Sequence, residues 1–285
     1  MRSLLAALAL ALASFTQVAQ AQTAPFTLPA TEVRTLPTAA NGIDYEIYVH
    51  ASPACTPEAP CPAIYMLDAE YSFGLAALIA DHLEQRGQLQ PLVLVALAYQ
   101  DKTQYRLNRS RDYTPIFSPD GGYGVQYQRL SGGGPAFLDV IADEIIPYVE
   151  ASYPVTPAHR GLVGHSYGGL FASYVLLHRP DLFDRYLIVS PSYWYDTDYI
   201  FRLEAEPRPP LSRPTQAYFS VGSWEEQPEN GHAMVSDLER LTDLLSARED
   251  PNLELKADVE DDQTHASIFP IALSDGLRAM FWPED

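Results

Sequence analysis

The sequence GHSYG at residues 164–168 places a serine hydroxyl between two glycines. An apolar run, residues 160–165, precedes Ser166, and a longer apolar run, residues 167–178, follows it. A serine on a sharp strand-to-helix turn presents its hydroxyl above the edge of a sheet, and the glycines let strand and helix pass close together. The segment therefore predicts that Ser166 is a nucleophile, with a helix-capping serine as the structural alternative.

A serine hydroxyl is a poor nucleophile at neutral pH and needs a base, which in turn needs an orienting acid. His265 follows the last predicted strand and precedes the C-terminal helix, where the order serine, acid, histidine places the base. Glu225 follows the penultimate strand and is our choice for the acid, with Glu226 as the alternative and an acidic surface loop as the structural reading of both. His165 adjoins the serine, but we expect its ring to point elsewhere.

This triad predicts acyl transfer in two steps, with attack of Ser166 on an ester carbonyl followed by hydrolysis of the acyl-enzyme. The backbone amide of Tyr167 is the first expected oxyanion donor, because a helix N-terminus supplies a positive field there. The mechanism requires no metal and no organic cofactor.

Short, mostly apolar runs alternate with helical patterns along the chain. Two runs at residues 31–37 and 45–51 predict antiparallel strands, and the later ones predict central strands of a buried parallel sheet. The predicted central strands are 63–69, 92–99, 160–166, 185–192, 217–223 and 253–261, and the predicted helices are 73–86, 134–153, 167–178, 231–248 and 267–281. This alternation is typical of an α/β protein with a doubly wound sheet and helices on both faces.

One connection, residues 100–133, is longer and more polar than a simple link requires. Long irregular loops inside compact domains are usually functional. No shift in composition divides the chain, so we expect residues 22–285 to form a single domain.

The N-terminus has the features of an export signal. Residues 1–21 contain Arg2, an apolar stretch and an A-x-A arrangement that ends at Ala21, which predicts a cleaved signal peptide, most simply for the periplasm. The apolar stretch is shorter than the roughly 20 residues that a bilayer requires, so we expect no stable membrane insertion after cleavage. The two cysteines, Cys55 and Cys61, are predicted to form a disulfide in that oxidising compartment.

The formal net charge is −19, and removal of Arg2 with the signal leaves −20. This charge argues against nucleic acid as a partner. A small-molecule ester is the partner that the triad predicts, and the sequence carries no signal for an oligomeric state.

Several segments together resemble the putative esterase family of α/β-hydrolases. They are AIYMLDAEYSF at 63–73, RSRDYTP at 109–115, GHSYGGLFASYVLLHRPDLF at 164–183 and VSPSYWY at 189–195. Within that family the combination most resembles the bacterial esterases that hydrolyse catecholate siderophores of the enterobactin and bacillibactin type. The resemblance implies an α/β-hydrolase fold and a serine ester hydrolase acting on the trilactone of such a siderophore.

The resemblance also implies roles for individual residues. It places nucleophile, base and acid at Ser166, His265 and Glu225, and the second oxyanion donor at the backbone amide of Glu70. A glycine commonly follows the Leu-Asp pair in relatives, where this chain has Ala69. Four residues lie near where relatives bind substrate: Arg109, Arg111, Tyr193 and Trp194. A buried ion pair of Arg111 with Asp112, and a core position for Trp194, are the structural alternatives.

Other functions remain open from the sequence alone. A feruloyl, acetyl or general short-acyl carboxylesterase would use the same triad on another ester. An acyltransferase of the same fold would pass the acyl group to an alcohol or sugar instead of water. A catalytically silent binding protein is the third class, and the intact set of Ser166, His265 and a nearby acid argues against it.

Overall fold

A sheet of eight strands lies at the centre of the molecule. The computed structural model describes residues 25–119, 122, 124–230 and 232–283. The strands are β1 (Thr31–Thr35), β2 (Tyr45–Ala51), β3 (Cys61–Met66), β4 (Val93–Tyr99), β5 (Val155–His165), β6 (Arg185–Val189), β7 (Thr215–Gly222), β8 (Glu226–Gln227), β9 (His232–Ala233) and β10 (Leu253–Glu260). The order in the large sheet is β1-β2-β4-β3-β5-β6-β7-β10, and β8 pairs with β9 separately.

The sheet is mostly parallel, which confirms the predicted α/β class. Strands β1 and β2 run antiparallel to each other, and β2 runs antiparallel to β4, whereas the strands from β4 to β10 pair in parallel. The expectation that β10 is a buried central strand is wrong. It pairs with β7 at one edge of the sheet, and each of its residues is exposed or half-buried.

Helices cover both faces of the sheet. They are α1 (Ala69–Glu84), α2 (Tyr105–Asp112), α3 (Val125–Gln128), α4 (Gly134–Val140), α5 (Ile146–Ser152), α6 (Tyr167–His178), α7 (Tyr199–Glu204), α8 (Met234–Ser246) and α9 (Ile268–Met280). Helix α1 begins one turn earlier than predicted, and the predicted helix 134–153 is divided by a π-helical turn at Ile141–Ile145. The connection 100–133 contains α2 and α3, so it is less irregular than its composition indicated.

Successive residues of β5 enter different cores. Leu162 belongs to the core on one face of the sheet, with Phe137 and Phe171, whereas Val163 belongs to the core on the other face, with Phe269. Side chains alternate between the faces of a strand, so an apolar strand without polar interruption is buried on both sides. Strand β5 therefore ends in the middle of the molecule, between two packed layers, and its last residue adjoins Ser166.

Cys55 and Cys61 form a disulfide, as predicted, with 5.5 Å between their Cα atoms. The proposed signal at residues 1–21 lies outside the described residues. Within the described part of the chain, we find no helix with the length and apolar character needed to span a bilayer.

Candidate active site

Ser166 occupies the turn between β5 and α6. Its backbone has φ 62° and ψ −119°, a conformation that few residues other than glycine adopt. Its amide donates to the Val189 carbonyl at 3.0 Å. A Cβ atom at Gly164 would lie 2.1 Å from the Gly168 carbonyl oxygen, so only glycine permits this close approach. The strained turn lifts the Ser166 side chain above the carboxyl end of the sheet, as the sequence pattern predicts.

Glu225 lies directly after β7 and has its carboxylate buried, with 4% of the residue exposed. One carboxylate oxygen, Oε1, accepts hydrogen bonds from the Ser190 hydroxyl at 2.7 Å and the Gly222 amide at 2.9 Å. The other, Oε2, lies 2.5 Å from Nδ1 of His265. A buried carboxylate with fixed donors on one oxygen presents the second oxygen in one orientation. Glu225 therefore fixes the tautomer in which Nδ1 of His265 carries the proton.

His265 lies in the loop between β10 and α9, as predicted. The loop packs closely on the Glu225 turn, because a Cβ atom at Gly222 would lie 2.3 Å from the Gln263 carbonyl oxygen. The Trp224 amide also donates to that carbonyl at 3.1 Å. The His265 side chain is 45% exposed and lines the same cavity as Ser166. The structure thus brings Ser166, His265 and Glu225 to one place at the sheet edge.

Glu226, the alternative acid, has a different set of contacts. Its Oε2 accepts from the amides of Val235 and Ser236, both at 3.0 Å, and its Oε1 accepts from the Ser236 hydroxyl at 2.6 Å. Burial tends to raise the pKa of Glu226, but the bonds from Ser236 and Val235 lower it overall. Glu226 therefore caps the N-terminus of α8, where a negative charge is favoured.

His165 is at the site, and the expectation that its ring points elsewhere is wrong. Its ring centroid lies 4.5 Å from that of His265, with 34° between the planes. Phe269 packs on the same ring at 5.4 Å. Burial lowers the pKa of His165 well below its usual range, and the positive charges of His265 and Arg109 lower it further. A neutral imidazole therefore packs against the ring of His265.

Two helices begin at the carboxyl end of the sheet, after the neighbouring parallel strands β3 and β5. Tyr167 is the first residue of α6, and the amides of a first helical turn point outward from the helix end. Helix α1 follows β3 at the same sheet edge, with Asp68 in the left-handed region at φ 59°. The amides of Tyr71 and Ser72 donate to the Asp68 carbonyl. Ala69 and Glu70 are the first two residues of α1, and the first amides of a helix have no partner within the helix.

Arg109, predicted to bind substrate, is held inside the protein by Asp68. Its Nε lies 2.7 Å from Oδ1 and its Nη2 lies 3.0 Å from Oδ2 of that carboxylate. Nη2 also donates to the His165 carbonyl at 3.1 Å. Arg109 is 2% exposed and Asp68 is 1% exposed. The guanidinium therefore joins the loop after β3 to the end of β5, one residue before Ser166.

Arg111 and Tyr193 are also held by internal contacts. Arg111 makes a two-bond ion pair with the fully buried Asp112, at 2.7 and 2.9 Å, as the structural alternative predicts. Tyr193 is fully buried, and its hydroxyl lies 2.6 Å from that of Ser173. The structure thus places Tyr193 in the hydrophobic core and not in the lining of the cavity beside Ser166.

Trp194 lines a cavity of about 440 Å³ that opens beside Ser166. Its ring packs on Tyr167 at 5.8 Å and on His232 at 4.9 Å between centroids. The sequence analysis did not identify the other residues of this wall, which are Ser192, Trp224, Gln227, His232, Met234 and Thr264. Trp224 adjoins Glu225 in the chain, and this position next to the predicted acid is the sequence feature that could have identified it as a wall residue. The cavity offers aromatic faces and few charges to a ligand.

Within the described part of the chain, no three His, Cys, Asp or Glu residues cluster as metal ligands would.

Comparison with known proteins identifies the family of this chain. The sequence profile of the family described as Putative esterase matches residues 38–239. The ferri-bacillibactin esterase BesA of Bacillus subtilis is 26% identical over 276 residues, which cover 91% of this chain and 92% of that protein. The siderophore enterobactin esterase of Emericella nidulans is 29% identical over 248 residues, covering 75% and 80% of the two chains.

Among solved structures, the BES protein of Bacillus cereus superposes with a TM-score of 0.78 at 24% identity, covering 90% of this chain and 97% of that one. The likeness confirms the expected α/β-hydrolase fold. The family match spans most of the sheet, including the Ser166 turn and the Glu225 loop. The chain belongs to the Putative esterase family and is an ester hydrolase.

Proposed function

We propose that the protein is a serine esterase that hydrolyses the trilactone backbone of catecholate siderophores in the periplasm. The single observation that carries the catalytic part is the Glu225–His265 hydrogen bond of 2.5 Å beside Ser166, in one cavity. The substrate part rests on the similarity to a ferri-bacillibactin esterase and a siderophore enterobactin esterase.

In the proposed mechanism, His265 removes the Ser166 proton through Nε2 as the serine oxygen attacks the ester carbonyl. Glu225 stabilises the imidazolium that forms, because its buried carboxylate faces Nδ1. His265 then protonates the departing alcohol, which leaves an acyl group on Ser166. Water, deprotonated by the same imidazole, hydrolyses the acyl-enzyme in the second step.

The amides of Tyr167 and of the first turn of α1 are the proposed oxyanion donors. Each such donor contributes about 3 kcal/mol to the stability of a tetrahedral intermediate. Glu70 is the expected second donor. Burial raises the pKa of the Glu70 carboxyl group, and an interaction of its carboxylate with its own backbone amide opposes that rise, so this amide is partly engaged. Ala69, one residue nearer β3, is therefore a further donor in the same turn.

The cavity wall suits catechol rings. Trp194 and Trp224 present aromatic faces, and His232 packs edge-on against Trp194. Aromatic rings stack or meet edge to face with a gain of about 0.5–1.5 kcal/mol beyond the area they bury. A siderophore that carries several catechol rings can thus hold one of them against this wall while an adjacent ester reaches Ser166.

The test compares wild type with Ser166→Ala on a catecholate trilactone and on p-nitrophenyl acyl esters. We expect Ser166→Ala to lower kcat by at least about 10⁴-fold. Ser152→Ala is the matched control, because it makes the same change at an exposed residue at the end of α5 that does not line the cavity. Activity that survives in Ser166→Ala would overturn the mechanism. Rapid turnover of simple esters with the trilactone untouched would overturn the siderophore substrate.

A further inference from the structure

A second cavity, of about 310 Å³, also opens onto Ser166 and His265. We call it the α1–α9 cavity, because both of those helices contribute residues to its lining. Its lining includes Tyr71, Leu75, Tyr105, Ala266, Phe269 and Pro270. It shares only the serine and the base with the cavity beside Trp194, which is lined otherwise by different residues. The reacting atoms of the proposed triad therefore lie between two separate cavities.

The α1–α9 cavity is apolar in character. Leu75 and Phe269 contribute hydrocarbon and aromatic surface, and the Arg109 guanidinium at its floor is neutralised by Asp68. The apolar surface continues outward along α1, where Leu75 is 40% exposed and Leu78 is 53% exposed. Large apolar side chains on neighbouring turns of an exposed helix face mark a site that binds an apolar group.

Both cavities are large enough for a ring. A dry protein cavity of about 150 Å³ holds a benzene molecule. The cavity beside Trp194, at about 440 Å³, and the α1–α9 cavity, at about 310 Å³, both exceed that volume. A substrate whose ester bond lies at Ser166 can therefore place one aromatic or apolar group in each cavity at the same time.

We propose that the α1–α9 cavity is a second substrate subsite, and that the preferred substrates are esters with a bulky ring-bearing group on both sides of the scissile bond. This inference rests on the proposed esterase function and specifies the substrate class. A catecholate trilactone belongs to that class, because each of its esters is flanked on both sides by units that carry a ring. Esters that carry only a small group on one side of the scissile bond leave one cavity unfilled.

The variant Leu75→Trp tests the subsite by filling it. Leu75 is partly exposed, so the larger side chain fits without displacing the core. Leu244→Trp is the matched control, because it makes the same change at a leucine of similar exposure, 38%, on α8, and Leu244 lines neither cavity. Thermal unfolding of both variants shows whether the fold is retained.

The substrates are benzyl phenylacetate, which has a ring on both sides of the ester, and methyl phenylacetate and benzyl acetate, which have one each. We expect wild type to hydrolyse the two-ring ester with a kcat/KM at least about tenfold above either one-ring ester. Leu75→Trp should lower kcat/KM by about tenfold for the two-ring ester and for one of the one-ring esters. The kcat/KM of Leu75→Trp for the other one-ring ester, and all values for Leu244→Trp, should be unchanged.

An equal loss on all three esters would overturn the subsite, because it would show a disturbance of the triad itself. No loss in Leu75→Trp, the same loss in Leu244→Trp, or failure of wild type to hydrolyse any of the three esters would also overturn it. The proposed function fails separately, if wild type leaves the trilactone intact or if Ser166→Ala still hydrolyses the esters.

Discussion

The imidazole of His165 packs against the imidazole of His265 with 4.5 Å between ring centroids. The Tyr71 hydroxyl donates a hydrogen bond to Asp68 at 2.9 Å and lies 3.1 Å from Nδ1 of His165. Because its own proton is directed to Asp68, the hydroxyl oxygen accepts a hydrogen bond from the Nδ1–H group of His165. Arg109 holds the His165 carbonyl from the other side. The residue before the nucleophile thus connects the Asp68–Arg109 pair to the proposed base.

We expect His165 to position His265 through its shape rather than its charge, because its lowered pKa keeps it neutral. His165→Ala should lower kcat by about tenfold, since small displacements of a catalytic group are costly. His165→Phe keeps a ring against His265 and should retain most of the activity. The measurement is kcat/KM against pH for both variants. A shift of the acid limb in His165→Phe would contradict a neutral His165.

Glu225 and Glu226 are neighbours in the chain, and we expect their substitution by glutamine to have different effects on kcat and on stability. Glu225→Gln replaces a carboxylate that faces the imidazolium and disturbs the His265 tautomer, so kcat should fall by about 10⁴-fold. Glu226→Gln weakens the cap of α8 and should cost about 1 kcal/mol of unfolding free energy with kcat unchanged. Steady-state kinetics and denaturant unfolding of both variants separate the two roles. A large loss of kcat in Glu226→Gln, with none in Glu225→Gln, would show that Glu226 is the catalytic acid.

Arg109 should act on kcat rather than on KM, because it holds the loop after β3 against the end of β5. Arg109→Met leaves Asp68 buried without its cation and should destabilise the protein by about 3–5 kcal/mol. Arg109→Lys keeps the charge but cannot span both Asp68 oxygens and the His165 carbonyl, so it should fold and show a reduced kcat with little change in KM. A raised KM with normal kcat would indicate direct substrate binding instead.

The sequence was informative where backbone geometry determines the role. The Ser166 turn follows from the glycine spacing, and the loops of Glu225 and His265 follow from the ends of β7 and β10, so all three lie as predicted. The Arg109 contact was not predictable, because its partner Asp68 is 41 residues away in the chain and on another element. The ring direction of His165 likewise depends on how α1 and α9 pack, which no local pattern encodes.

Trp224 and His232 show the same limit in the cavity wall. Trp224 lies in a single helical turn after β7, and His232 lies in the two-residue strand β9, although the sequence pattern predicts a helix that already begins at residue 231. Such short elements have no periodicity that predicts which side chains face inward. Trp194 was identified only through the family resemblance. Its partner His232 comes from β9, a two-residue strand that has no sequence signature.

Asp237, in the first turn of α8, provides a prediction about stability. Burial raises its pKa to about 6, and the negative charges of Asp198 and Glu226 contribute while Arg240 opposes them. The folded protein therefore holds this proton at pH values where the unfolded chain has lost it. Stability from this group is present below about pH 4, is lost as the pH rises to about 6, and is absent above that.

Asp237→Asn removes this dependence. Because the side chain is half-buried and partly screened by solvent, we expect the variant to gain about 1 kcal/mol of unfolding free energy over wild type at pH 8 and almost nothing at pH 4. Asp243→Asn, on an exposed position of the same helix, controls for the loss of one negative charge. Urea unfolding of the three proteins at both pH values makes the comparison. An equal difference at pH 4 and pH 8 would show that Asp237 does not titrate in this range, and the gain would then come from helix packing alone.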